Sequence, residues 1–251
     1  MKIVKFSYLN EKKISYGRIY KKFIIPISNS IYEDKLITKK GVKYDIKKCK
    51  FYLPINSSKI IGVAQNFKKE NKINNPLFFL KSNNSLCLQD KNIRLPKNAK
   101  IWGESELAFV IKKSIKKPIK LRECKKYILG YTIANDVTAS YNNGHDHHLA
   151  LSKSLDGFCP IADFIDTKFT FNKKIIEGLH NNKLIRRSST SKFILNPHQI
   201  LSHLSNLLTL NPGDLILTGA PPRVTGRKYL KTDDNYLVKI SGLGKIISTF
   251  K

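Results

Sequence analysis

Apolar and polar positions in this chain alternate over short blocks and seldom form long helical stripes, a pattern that predicts a strand-rich protein. Residues 2–6, 15–20 and 23–27 read as short strands separated by turns. Turn formers at Pro54-Ile-Asn-Ser-Ser58 then mark a boundary. The expected organisation is a small β-rich module over residues 1–56 and a larger domain over 57–251. In the larger part, 59–64 and 76–80 are expected buried strands, with a loop at 82–85. A helix is expected over 121–128, with Gly130 as its stop. A clearer helix starts at Asn196, a good N-cap, with Pro197 in the first helical position. Its apolar residues Ile200, Leu201, Leu204, Leu207 and Leu208 form a one-sided stripe. A turn at 211–214 leads to a strand at 215–218, and strands broken at Gly242 and Gly244 occupy 239–249. The fold class is α+β with strands dominant.

Composition narrows the picture. No stretch approaches the ~20 apolar residues that cross a bilayer, and the first residues carry no apolar h-region. A soluble, cytoplasmic protein with no membrane partner is expected. Cys49, Cys87, Cys124 and Cys159 are far apart and form no C-x-x-C, which argues against a zinc cluster or a disulfide framework. Cys159 is expected to be a packed core thiol. The net charge of +28 raises nucleic-acid binding as a possibility. Seven of the forty-six basic residues are Arg, however, and the lysines are spread along the whole chain. Readers of bases and phosphates favour the arginine fork. Binding to nucleic acid is therefore expected to be non-specific only and sensitive to salt.

The candidate chemistry lies in Trp102-Gly-Glu104-Ser-Glu106-Leu-Ala-Phe-Val-Ile111. Its second half reads as a strand, so Glu104 and Glu106 point to one face. Carboxylates so close repel each other unless a cation lies between them. A third carboxylate, Asp136, ends the apolar run that begins at Tyr127. Three hard oxygen ligands without Cys or His suit magnesium, manganese or calcium. Spacing alone also leaves room for two solvent-facing glutamates at a strand end.

Several blocks occur in a telling order: Glu104-x-Glu-Leu-Ala, Gly130-Tyr-Thr-Ile-Ala-Asn-Asp-Val-Thr-Ala139 and Lys153-Ser-Leu-Asp-Gly-Phe-Cys-Pro160, followed by Pro212-Gly-Asp-Leu-Ile-Leu-Thr-Gly-Ala-Pro221 and Ile240-Ser-Gly-Leu-Gly244. From about Ser57 onward the chain resembles the catalytic domain of the fumarylacetoacetate hydrolase family, and the preceding residues resemble the small N-terminal module of bacterial members. The resemblance implies that family's β-roll, a homodimer, and a divalent ion on Glu104, Glu106 and Asp136. That ion would be magnesium, or manganese or calcium in its place. The implied substrate is a small 2-oxo acid whose enolate the ion stabilises. Lys153 takes the position of the active-site lysine, where burial would lower its pKa. Thr218-Gly219 matches a turn beside the substrate. Lys81, in Phe-Leu-Lys-Ser, stands where members carry Phe-x-Lys-Pro, and serine in place of that proline is expected to loosen the backbone.

Two departures shape the reading. Hydrolytic members carry Gly-x-Asn-Tyr-x-x-His-x-x-Glu, whose His and Glu activate water. Aligning Asn66-Phe67 with Asn-Tyr puts Glu70 at the His position and Ile73 at the Glu position. Glu70 is a candidate base without its orienting partner. After Asp136 the family's Asp-x-x-Ala-Arg-Asp-x-Gln is replaced by a stretch leading to Gly144-His-Asp-His147-His148. This loop is read as solvated and not as a second metal site, with His147 and His148 as candidate acids or bases. The expected enzyme acts on a small 2-oxo or 2-hydroxy-enoic (di)acid as an isomerase, tautomerase or decarboxylase. The alternatives are an acylpyruvate- or fumarylacetoacetate-type hydrolase and a non-catalytic basic protein that binds nucleic acid.

Overall fold

The computed structural model describes residues 1–9, 11–68, 76–141 and 149–251. Among the described residues thirteen strands join one sheet. Its main path runs Tyr44–Asp45, Phe23–Pro26, Ser15–Tyr20, Lys2–Tyr8, Phe164–Asp166, Ile128–Asn135, Ser105–Ile111, Leu215–Leu217, Ile60–Ala64 and Leu77–Lys81. The N-terminal strands are continuous with this sheet, because Lys2–Tyr8 pairs antiparallel with Phe164–Asp166. A five-stranded sheet (Lys183–Ser189, Ile175–His180, Asn235–Ile240, Gly244–Phe250, Asn92–Ile93) packs against the centre of the first.

Ser105–Ile111 is buried at every position. Both faces are covered, so its apolar residues run on without alternation from Leu107 to Ile111. Its neighbours are Ile128–Asn135 on one edge and Leu215–Leu217 on the other, both antiparallel. Leu215–Leu217 in turn runs parallel to Ile60–Ala64.

The helix at Pro197–Ser205 forms as expected, with Asn196 accepting hydrogen bonds from the backbone of His198 and Gln199. Ile200, Leu201 and Leu204 are buried. The stripe stops early, however: Asn206 caps the helix and Leu207 is left 62% exposed. The expected helix over 121–128 is corrected to a 3₁₀ turn at Leu121–Tyr127. Only Cys124 of that segment is buried, so no apolar face holds an α-helix in place. Gly130 is not a helix stop but lies within Ile128–Asn135. A Cβ there would sit 2.7 Å from the Asp166 carbonyl oxygen, so glycine permits a close strand crossing. The hairpin of Ile175–His180 and Lys183–Ser189 has no counterpart in the sequence expectations. Its Asn181-Asn182 turn, both residues at positive φ, is the signal that marks it. All four cysteines are free thiols, and Cys159 is fully buried. No helix among the described residues is long and apolar enough to cross a membrane.

Candidate active site

The register of the two central strands assembles the acidic trio. Ser105 lies opposite Asn135 and Glu106 opposite Ala134, which brings Glu104 and Asp136 to the same end of the pair. The Asp136 backbone N–H donates to the Glu104 carbonyl (2.8 Å), and the Glu104 N–H donates to Asn135 Oδ1 (3.0 Å). Asn135 thus locks the backbone while its neighbour supplies the carboxylate. One oxygen from each of Glu104, Glu106 and Asp136 lies within 4.8 Å of the others. Glu106 and Asp136 are buried and Glu104 is half-buried.

Cationic groups surround two of the three. Lys153, at the end of the short helix Ala150–Lys153, directs Nζ at Glu104 Oε2 (3.0 Å), at Asp136 Oδ2 and at the Thr138 hydroxyl (2.7 Å). The Phe79 ring lies 4.8 Å from the same ammonium. Lys81 donates to Asp136 Oδ1 (2.7 Å). Arg186 donates to Glu104 Oε1 (2.7 Å) and to the Pro221 carbonyl (2.6 Å). The Trp102 indole N–H also reaches Glu104 Oε1, at 3.1 Å. Burial alone would raise the Glu104 carboxyl, but Lys153 and Arg186 overcome it and hold the group at about 2. Burial likewise disfavours the Lys153 ammonium, yet Asp136 and Glu104 outweigh it and keep its pKa above the ordinary value. The expected depression of the Lys153 pKa is therefore reversed beside these carboxylates.

Glu106 is the exception. Among the described residues it forms no direct ion pair, although the Lys153 charge acts on it from a distance, and its Oε2 accepts from the Gly219 backbone N–H at 2.6 Å. Burial, with the charges of Asp136 and Glu104, pushes its carboxyl well above the usual range. A buried carboxylate crowded by two others, in an all-oxygen donor set, fits a hard divalent cation.

The remaining expected site residues are placed as follows. Thr218 is buried, and its hydroxyl donates to the Leu107 carbonyl (2.8 Å), fastening the strand end. Gly219 follows at φ +96°, and a Cβ there would meet the Val63 carbonyl oxygen at 2.8 Å. Gly219→Ala is therefore expected to cost about 1–3 kcal/mol and to move the N–H away from Glu106. Urea denaturation reads the loss, and unchanged stability would show that the turn relaxes freely. Ser82 does not loosen the backbone after Lys81. Its N–H and hydroxyl donate to the hydroxyl and carbonyl of Ser154, tying Lys81 and Lys153 together through their neighbours. A proline there could not donate that N–H. Glu70, His147 and His148 lie outside the described residues. Arg186 carried no role in the sequence expectations. Its strand, Lys-Leu-Ile-Arg-Arg-Ser-Ser, shows no alternation that would have marked it; the Arg186-Arg187 pair stands out only because the chain is poor in arginine.

The trio lines a cavity of about 530 Å³ together with Phe67, Phe79 and Arg186. Comparison with known proteins gives this arrangement a family. Residues 55–251 match the family described as fumarylacetoacetate (FAA) hydrolase C-terminal. The chain belongs to the fumarylacetoacetate hydrolase family. It is an enzyme of that family with the expected strand-rich α+β fold. It is 32% identical to a mitochondrial oxaloacetate tautomerase of Xenopus laevis, over 76% of this chain and 65% of the relative. Among solved structures it resembles a 5-carboxymethyl-2-hydroxymuconate delta-isomerase from Mycobacterium smegmatis, with a TM-score of 0.90 at 25% identity, covering 100% of this chain and 99% of the other. It shares its fold, at 20% identity and a TM-score of 0.80, with a maleylpyruvate hydrolase from Sphingobium sp. SYK-6 in complex with manganese(II) and pyruvate, covering 100% and 98% of the two chains.

Proposed function

We propose that this family member is a divalent-metal-dependent isomerase or tautomerase of small 2-oxo acids. The observation that carries the reading is the convergence of Glu104, Glu106 and Asp136 on one point, with the Lys153 ammonium held against two of them. A magnesium, manganese or calcium ion on this trio would supply Lewis-acid stabilisation of negative charge developing on the substrate. Lys153 Nζ carries the proton that moves as a keto acid interconverts with its enol. Arg186, fixed by Glu104 and Pro221, orients an anionic group in the cavity, and Phe67 and Phe79 keep water from the wall. Support also comes from the relatives, one a tautomerase and one an isomerase by name.

Hydrolysis makes a further demand, an oriented water with a base. Residues 66–75 contain no histidine, so the dyad of hydrolytic members has no counterpart there. With magnesium present, the purified protein is expected to accelerate exchange of the C3 protons of oxaloacetate with solvent deuterium, followed by NMR. Cleavage of an acylpyruvate, followed by ultraviolet absorbance, is expected to be slower. Fast cleavage that persists after replacement of Glu70, His145, His147 and His148 would overturn the assignment.

A further inference from the structure

The chain uses lysine as its general cation, with thirty-nine Lys against seven Arg, yet three of those seven arginines line one cavity. They are Arg186, Arg223 and Arg227. Arginine differs from lysine in offering a flat fork of donors that matches a carboxylate edge. Arg186 has Glu104 as its partner, whereas Arg223 and Arg227 form no ion pair among the described residues.

The loop that carries them is nonetheless well anchored. The Val224 N–H donates to the Ile185 carbonyl (2.8 Å), the Leu230 N–H donates to the Ile101 carbonyl (2.8 Å), and Arg223 bridges to Arg186 through the backbone. The guanidinium of Arg227 stands 4.2 Å from the centre of the Trp102 ring. That ring's N–H is bonded to Glu104. Arg227 is thus positioned by stacking and not by a carboxylate, one indole away from the acidic trio, with donors left for a ligand. Partial burial, with the like charges of Arg227 and Arg186, lowers the pKa of Arg223, a repulsion that a bound anion would relieve.

We propose that Arg223 and Arg227 determine specificity by binding a second, distal carboxylate, so that the site selects extended 2-oxo dicarboxylates over monocarboxylates of equal length. This rests on the 2-oxo acid reading above, which places the near end of the ligand at the trio. The test compares 2-oxoadipate with 2-oxohexanoate, which has the same chain length but no distal carboxylate. Binding to the magnesium-loaded protein is measured by calorimetry, with the emission of the single tryptophan, Trp102, as a second reading for the unmodified chain. The diacid is expected to bind about 10- to 100-fold more tightly, the worth of charge-assisted hydrogen bonds. R223Q and R227Q should each reduce the ratio of the two Kd values, the double variant should bring it near one, and R227K should restore part of it. A merely structural role would shift both constants together and leave the ratio unchanged. Equal affinities in the unmodified protein, or an unchanged ratio in the double variant, overturn the proposal while the 2-oxo acid reading stands. If neither acid binds, that reading falls and this inference falls with it.

Discussion

Replacing Lys153 by methionine is expected to lower kcat by about 10²- to 10⁴-fold, the range for loss of a positioned proton carrier. The side chain is almost fully enclosed between Glu104, Asp136, Thr138 and the Phe79 ring, so no solvent molecule takes its place easily. Methionine keeps the length and the apolar contact with Phe79 but cannot hold a proton. Affinity for a divalent ion should be kept or increased, because a competing cation leaves the carboxylates. The measurement is steady-state turnover beside a manganese titration. An unchanged kcat would remove Lys153 from the reaction. Reduced turnover that tracks lost manganese binding would assign it to the architecture of the trio.

The second large effect is on stability. Asp136→Ala in the metal-free protein removes the carboxylate that both Lys81 and Lys153 address. Lys81 would keep only the Val137 carbonyl, at 3.3 Å, for a side chain with no exposure. Breaking a buried pair in this way costs about 3–5 kcal/mol, most of it from the charge left behind. Urea denaturation in the presence of a chelator should show that loss. A double variant, Lys81→Met with Asp136→Leu, should recover much of it, because both charges are then removed from the interior. A loss below about 1 kcal/mol for Asp136→Ala would mean that Lys81 reaches water instead, contrary to its enclosure.

How far the site was legible in the sequence depended on the link between neighbours in sequence and neighbours in space. Glu104 immediately precedes the strand that carries Glu106, and Asp136 immediately follows the strand paired with it, so their spacing in sequence could bring them to one point. Lys153 became visible through the block around it, since a lysine in a lysine-rich chain carries no signal of its own. Arg186 was not legible because it comes from the second sheet, and the packing of one sheet on another leaves no periodic mark. The stop expected at Gly130 after the helix over 121–128 failed for a related reason. Gly130 reads as punctuation in the sequence, whereas it serves the close approach of Asp166, a residue remote in sequence. Ser82 shows the converse, a lost proline whose place is taken by hydrogen bonds to Ser154 that no local pattern reveals.

The parallel pairing of Leu215–Leu217 with Ile60–Ala64 has a consequence for biosynthesis. On the ribosome, Ser105–Ile111 meets Ile128–Asn135 early, but its other edge waits for Leu215–Leu217. Until then an apolar strand edge stays open to other nascent chains. Gly219, which pins Glu106, emerges immediately after the strand that closes this edge. Shielding of the growing polypeptide and completion of the acidic site therefore coincide, because both wait for the same non-local pairing, the kind of contact that slows folding.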